Sequence, residues 1–477
     1  MRRSVPDLGP YSNYRITARL ELGNRPGVFA SVVTTVARCQ ANLGAVDIVE
    51  VTKAKMVRDV TFDVANEQHG EKVIASLKRL KAVRVISVSD NIFLAHLGGK
   101  LYVRSKYPIT TRNRLATVYT PGVARVAKAI AEDPSKVYAL TIKKNSVAVV
   151  TDGSAVLGLG NLGPEAALPV MEGKAAIFKE FAGIDAWPIC LATQDADEIV
   201  ETVRNIAPVF GGINLEDISS PRCFEVEQRL KEDLDIPVMH DDQHGTAIVV
   251  LAALKNALRI VGKEIGKIRV VVNGLGAAGM ASCQILLEAG VKHLAGCDKD
   301  GVVFDTKATS LPLVKKNLRA HIRSGGSGLP LKKVLAEADV FIGVSRGNIL
   351  EPKDLRVMKK SRIVFAMANP DPEINPEKAM KSCRIFATGR SDLPNQINNA
   401  LAFPGVFKGA LAVRASEINE PMKLAAAHAI AHLIGRDQLS EEYIVPSIFD
   451  KRVVDSVAEA VAEAARQSGV ARAYRKR

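Results

Sequence analysis

Apolar and polar positions alternate with a period of two in YRITARLEL, LGAVDIVEVT, MVRDVTFDVA and VRVISVSD, the pattern of half-buried strands. Between them, VFASVVTTVARCQAN and EKVIASLKRL carry apolar residues at helical spacing. The order over residues 14–95 is therefore β-α-β-β-α-β, a ferredoxin-like split. From 100 to 258 the pattern changes to an α/β alternation. SVAVVTDGSAVLGLGNLGPEAALPVMEGKAAIFKEFAG reads as strand, glycine turn, second strand, loop and helix. AWPICLAT reads as a buried strand and DADEIVETVRNIAPVFGG as an amphipathic helix. INLEDIS and IPVMHDD are apolar strands that end in carboxylates. A second α/β unit starts near 259, with strands in KIRVVVN, HLAGCD, ADVFIGVS, RIVFAMANP and RIFATG, and the chain closes on a helical, basic tail. Four segments follow: 1–95, 96–258, 259–440 and 441–477.

The chain of 477 residues needs several cores, and 47% hydrophobic with 24% charged is an ordinary globular mix. The N-terminal MRRSVPDLGPYS lacks the apolar core of a secretion signal, and no apolar run reads as a membrane span. Six scattered cysteines without a C-x-x-C suit a reducing cytoplasm. A net charge of +14 raises nucleic-acid binding, but no nucleic-acid motif accompanies it. A basic enzyme that attracts anionic substrates accounts for the charge.

Two features carry chemistry. In NGLGAAG, the loop Gly274, Leu275, Gly276, Ala277, Ala278, Gly279 follows a strand and opens a helix. Gly274 suits a tight turn, Gly276 a close approach to a pyrophosphate, and Gly279 close helix–strand packing. Asp298 closes the next strand, where a carboxylate bonds ribose hydroxyls. In CDKDG, Lys299 is outnumbered by Asp298 and Asp300, so a 2′-phosphate meets net negative charge and NAD is favoured over NADP. GLGNLG at 158–163 also fits the glycine pattern but runs into PEAALPV, and reads as a loop of the preceding unit.

The second feature is the pair of acidic dipeptides Glu216-Asp217 and Asp241-Asp242, each at a strand's carboxyl end. Parallel sheets bind ligands there. Clustered carboxylates stay ionised only beside a cation, and oxygen ligands select Mg²⁺ or Mn²⁺. His240 and His244 have i,i+4 spacing but lack the glutamate of a zinc protease motif. Tyr119, on a Pro-Gly loop, and Lys174, opening a helical stretch after Gly173, become acid–base candidates beside a dinucleotide and a metal.

In order along the chain, VYTPGVA, the segment TDGSAVLGLGNLGPEAALPVMEGKAAIFKEFAGIDAWPICL, INLEDISSP, MHDDQHGTA, NGLGAAG, MANPDPE and NQINNALAFPG resemble a malic enzyme of the bacterial type over residues 100–450. The β-α-β-β-α-β order with NRPGVFASV resembles an ACT domain, a small-molecule sensing module. That implies a ferredoxin-like ACT domain, an α/β catalytic domain and a Rossmann-type NAD-binding domain. It implies oxidative decarboxylation of L-malate to pyruvate and CO₂ with a nicotinamide cofactor and a divalent metal. Lys174 maps to the family's base, Tyr119 to its proton donor, and Glu216, Asp217 and Asp242 to its metal ligands. Asp241 maps beside the metal and the lysine, and Asn369 and Asn399 to substrate positions.

Larger eukaryotic members carry an arginine where this chain has Ala155, so that carboxylate contact does not carry over. At the GNRPG loop, either a metabolite such as an amino acid binds or the module serves only to pair copies. A homodimer or larger homo-oligomer, with neither nucleic acid nor membrane as partner, is expected. Two rivals stand beside this reading: a metal-independent amino-acid dehydrogenase and a ligand sensor without catalysis.

Overall fold

The computed structural model describes residues 14–306 and 328–472. The basic end RKR lies outside the described residues. The chain divides into two compact units, Met1–Tyr102 and Val103–Arg477.

In the first unit, β1 (Tyr14–Gly23), β2 (Asn42–Val51), β3 (Lys55–Val64) and β4 (Val83–Asp90) form an antiparallel sheet in the order β2-β3-β1-β4. Alternate residues Ala18, Leu20 and Leu22 of β1 and Val60, Phe62 and Val64 of β3 are buried with Val32, Val36, Val73 and Leu77 of the two helices. The period-two pattern thus puts one sheet face under the helices Val28–Arg38 and Glu67–Lys78. The first helix is shorter than its apolar run, because Cys39 caps it and Gln40 takes a positive φ of 64°. A short helix Asn91–His96, capped by Asp90, follows β4.

The second unit holds two sheets. β5 (Ser146–Thr151), β6 (Asp185–Cys190), β7 (Gly212–Leu215) and β8 (Val238–His240) run parallel in the order β6-β5-β7-β8. β9 (Arg269–Asn273), β10 (His293–Asp298), β11 (Gly301–Asp305), β12 (Val340–Gly343), β13 (Ile363–Ala366) and β14 (Ile385–Thr388) follow the order β11-β10-β9-β12-β13-β14. All but the hairpin strand β11 are parallel. The helix Asp241–Val261 joins the two sheets, and its apolar residues from Ala247 to Leu258 share one core with Val147 and Val149 of β5 and Val270 and Val272 of β9. It is long and apolar enough to cross a membrane by composition alone, yet 72% of its apolar window is buried inside the protein. The helix Arg452–Gln467 belongs to the same core through Val453, Val457 and Val461.

Two expectations about the strands need correction. The stretch after β5 is not a second strand: Val156–Gly158 is a 3₁₀ turn, and Leu157, Gly158, Gly160 and Gly163 have positive φ, which extended pairing excludes. β6 is half-buried rather than buried, because it lies at the edge of its sheet. β11 is an unexpected addition.

Candidate active site

β7 and β8 are parallel neighbours, so Glu216-Asp217 and Asp241-Asp242 leave the sheet side by side at its carboxyl end. One oxygen each of Glu216, Asp217 and Asp242 lies within 4.8 Å of the others. Asp217 adopts φ 53°, a left-handed conformation aspartate tolerates. In that pose its N–H donates to Asp242 Oδ2 at 2.8 Å, and its carbonyl accepts from Ala155 N at 2.9 Å. Asn214 Nδ2 donates to Glu216 Oε2 at 2.9 Å.

Lys174 does not open a helix as expected but lies in the last turn of the helix Pro164–Ile177, because the helix already starts at Pro164, and it is buried. Its Nζ lies 2.5 Å from Asp241 Oδ2, 2.8 Å from Glu216 Oε1 and 4.1 Å from the centre of the Phe403 ring. Asp241 Oδ2 also accepts from Asn399 Nδ2 at 2.5 Å. Gly245, one helical turn beyond Asp241, leaves room for that carboxylate: a Cβ there would stand 1.9 Å from Asp241 Oδ1.

The charges are strongly coupled. Burial alone would lower the Lys174 pKa, but Asp241, Glu216 and Asp242 outweigh it and hold the amine above the ordinary lysine range. Burial pushes Asp217 up to about 8, with Asp242 and Glu216 adding repulsion. Burial likewise raises Asp241 to about 7 and Asp242 to about 6, both against the pull of Lys174, and raises Glu216. One lysine does not satisfy four carboxylates. Asp217 Oδ2 is buried without a hydrogen-bond partner. An all-oxygen donor set in a field this negative fits a hard divalent cation at Glu216, Asp217 and Asp242.

The cofactor loop also has the geometry its glycines require. Gly274 has φ 96° and faces the Val344 carbonyl, where a Cβ would approach to 2.6 Å. A Cβ on Gly279 would meet the Gly274 carbonyl at 1.7 Å, so this glycine permits the helix to pack against the loop. Gly276 has open space where a Cβ would be, Leu275 is buried, and Ala277 and Ala278 open the helix Ala277–Glu288. The loop sits at the carboxyl end of β9, between β10 and β12, where the sheet order reverses. Asp298 ends β10, is exposed, and accepts from Lys299 N at 2.8 Å.

GLGNLG belongs to the catalytic half: the N–H groups of Leu162 and Gly163 both donate to Gly153 O at 3.1 Å. Asn369, after β13, is exposed, and a Cβ on Gly158 would stand 3.1 Å from its carbonyl. Tyr119 is not brought to the carboxylates: it caps the helix Arg112–Val118 and is 65% exposed.

Sequence reasoning missed several supports. Glu227, buried on the helix Arg222–Asp233, accepts from His240 N at 3.0 Å, from Lys231 at 2.8 Å and from His244 Nε2 at 2.9 Å. His244 Nδ1 in turn lies 3.2 Å from Lys423 Nζ. This network ties down the start of the helix that carries Asp241 and Asp242. Burial lowers the His244 pKa to about 4. Asp152 is fully buried and paired with Arg222 at 2.7 Å, which fixes the loop before Ala155. Phe403 lies inside NQINNALAFPG, but only the fold shows that its ring underlies Lys174.

A Rossmann-type unit fused to a parallel sheet that ends in a lysine–carboxylate pocket suited to a divalent cation is the arrangement of a dinucleotide-dependent oxidoreductase. The family models for the malic enzyme N-terminal domain and the malic enzyme NAD-binding domain match residues 98–231 and 243–466, and an ACT domain matches 11–87. The chain is 53% identical over 457 residues to an NAD-dependent malic enzyme of Geobacillus stearothermophilus, covering 96% of this chain and 95% of that one. It is 54% identical over 375 residues to a bifunctional malic/malolactic enzyme of Bacillus subtilis, covering 78% and 92%. A crystal structure of an NAD-dependent malic enzyme from Thermotoga maritima superposes with TM-score 0.72 at 48% identity, covering 78% of this chain and 99% of that one. The chain belongs to the malic enzyme family, with an N-terminal ACT domain. It is an enzyme of the NAD-dependent kind, and a divalent metal is usual for the family.

Proposed function

We propose that the chain converts L-malate to pyruvate and CO₂ with Lys174 as the base and Tyr119 as the proton donor. The observation that carries this is the convergence of Lys174 and Asp241 on the three carboxylates Glu216, Asp217 and Asp242, whose oxygens lie within 4.8 Å of one another. Glu216, Asp217 and Asp242 would hold a Mg²⁺ or Mn²⁺. Bound there, the cation would supply Lewis-acid polarisation of a substrate oxygen. Gly274–Gly279 and Asp298 would hold NAD, which would supply the hydride acceptor.

The remaining work belongs to side chains. Lys174 Nζ takes the proton of the C2 hydroxyl, which requires a neutral amine. The field of Asp241, Glu216 and Asp242 holds that amine charged, so neutralising those carboxylates is what frees it. Asp241 and Asn399 fix the position of Nζ, and the Phe403 ring closes one side of it to water. Asn369 and Asn399 border the substrate. After CO₂ leaves, Tyr119 donates its phenolic proton to C3.

The test is malate-dependent NADH formation with Mn²⁺. Activity is expected to vanish on chelation and return with metal, and Asp242→Ala is expected to lose metal-supported turnover while folding normally. Undiminished malate oxidation by folded Asp242→Ala would sink the assignment.

The ACT unit adds a regulatory reading. Gly27 has φ 88° and opens the helix Val28–Arg38, whose first N–H groups suit a carboxylate. An amino acid or similar metabolite bound there would modulate turnover. Equilibrium dialysis of the full chain against the common amino acids checks it, and Gly27→Val is expected to lose any binding found. With no amino acid bound, the unit serves pairing of copies instead. The homo-oligomer and a cytoplasmic setting for six free thiols complete the reading.

A further inference from the structure

The pocket is too negative for a dianionic substrate. With its four carboxylates ionised, Lys174 offsets one and a divalent cation two more, so an excess negative charge remains where L-malate must bind. A further cation has to face the substrate. Among the described residues, two guanidinium groups stand close enough to the site to be considered. Arg390 follows Gly389, where a Cβ would lie 3.2 Å from Asn369 Nδ2. Its fork is filled by Asp392, with Nε donating to Oδ1 at 2.8 Å and Nη2 to Oδ2 at 2.5 Å.

Arg222 is held differently. It opens the helix Arg222–Asp233, just after the loop that carries Asp217. Its Nε and Nη2 converge on a single oxygen, Asp152 Oδ2, at 3.1 and 2.7 Å, and Nη2 also reaches Ser219 Oγ at 3.3 Å. No hydrogen bond among the described residues uses Nη1. Asp152 Oδ1 already accepts from Ser154 N at 2.9 Å and Ser154 Oγ at 2.6 Å, and Ser154 Oγ accepts from Ser219 N at 2.8 Å. Ala155 N donates to Asp217 O at 2.9 Å. The guanidinium is therefore bonded to both loops that form this side of the carboxylate pocket. The Asp152 side chain has no exposure while that of Arg222 keeps 23%, so the ion pair turns its positive end outward. A guanidinium oriented by one buried carboxylate, with donors left over, suits recognition of a second.

We infer that Arg222 binds the C1 carboxylate of malate, the one that pyruvate keeps. This rests on the function proposed above. Chemistry chooses between the two ends of the substrate. Loss of CO₂ moves the C4 charge onto the remaining carbons, so a cation clamped on C4 would stabilise the reactant more than the transition state and slow the step. C1 keeps its charge throughout. A contact there holds substrate and product alike, and so lowers KM without raising kcat.

Arg222→Gln alone would strand the buried Asp152 charge, so the variant is made together with Asp152→Asn. Calorimetry on the full chain measures binding of Mn²⁺ and NAD, and then of L-malate and pyruvate to the Mn²⁺-loaded protein. Steady-state kinetics accompany it. In the double variant, Mn²⁺ and NAD are expected to bind as in wild type. Malate and pyruvate are expected to bind about 10–10²-fold more weakly, with KM raised more than kcat is lowered. Arg222→Lys keeps the charge without the fork and should fall between. A parallel loss of Mn²⁺ affinity would make Arg222 a brace for the Asp217 loop and overturn the inference. Unchanged malate binding, or weakened malate with pyruvate spared, overturns it too. In those cases malate oxidation by the wild type leaves the proposed function standing, whereas a wild type that does not oxidise malate sinks both.

Discussion

Gly245→Ala is a one-methyl perturbation aimed at a single carboxylate. The Cβ would lie 1.9 Å from Asp241 Oδ1, 2.8 Å from its Cγ and 3.2 Å from the Asn399 Cβ. Restoring a Cβ–oxygen separation of even 3.0 Å moves the carboxylate by about 1.1 Å, because 3.0 minus 1.9 is 1.1. Asp241 Oδ2 sits 2.5 Å from both Lys174 Nζ and Asn399 Nδ2, so a shift of that size breaks or redirects both contacts. The effect on stability is small by compensation. Alanine is favoured over glycine inside a helix by about 1 kcal/mol. Overpacking costs about 1–3 kcal/mol. The net loss is about 0–2 kcal/mol, a Tm decrease of a few degrees.

Catalysis has no such compensation, since misplacing a reacting group by about 1 Å costs on the order of 10²-fold. The variant is therefore expected to unfold near the wild-type temperature, to bind NAD, and to turn over malate about 10²-fold more slowly. Steady-state kinetics with Mn²⁺, a thermal melt and an NAD titration separate these quantities. A folded Gly245→Ala enzyme with wild-type kcat would refute the claim that the Asp241 position governs Lys174.

Burial holds Asp217, Asp241 and Asp242 at about 8, 7 and 6, above the unfolded value of about 3.9. A carboxylate raised on folding destabilises the folded state as pH rises from the unfolded pKa through the folded one, so the metal-free protein is expected to weaken from about pH 4 to pH 8. Bound cation offsets this, and the Tm increase on adding Mn²⁺ should be larger at pH 8 than at pH 6; equal increases would count against the cation site. Asp298→Ser is expected to raise kcat/KM with NADP relative to NAD, and a wild-type enzyme that already prefers NADP would contradict the ribose role of Asp298. Glu227→Gln loosens the link from His240 N and His244 to the helix that carries Asp241 and Asp242, so Mn²⁺ affinity should fall about 10-fold or more. An unchanged Mn²⁺ dissociation constant would make Glu227 a bystander.

The parallel strands of the second unit were legible because they are written as short apolar runs, three of which end where the chemistry begins, while the hairpin strand β11 was not. INL leads to Glu216-Asp217, VMH to Asp241-Asp242, and RVVVN to Gly274. In the first unit a period of two was enough, since one face of the sheet is packed and the other is wet. The strand expected in SAVLGL failed for a local reason. Its apolar residues serve a turn whose glycines and Leu157 need positive φ, and periodicity does not see φ. The Glu227–His244–Lys423 network was hidden for a different reason. Its members lie 17 and 179 residues apart, and a buried charged residue has no local signature until its partner is in place.

Tyr119 marks the limit of this kind of reading. Its motif identifies the residue type and the rigid loop, but the local pattern of the segment says something further that bears on function. Leu115, Val118, Val123 and Val126 recur at helical spacing on helices that bury no residue in their own chain. Amphipathic periodicity reports that a face will be buried, not by which chain. The fold answers what periodicity leaves open: in the folded chain Tyr119 stands 65% exposed on this face.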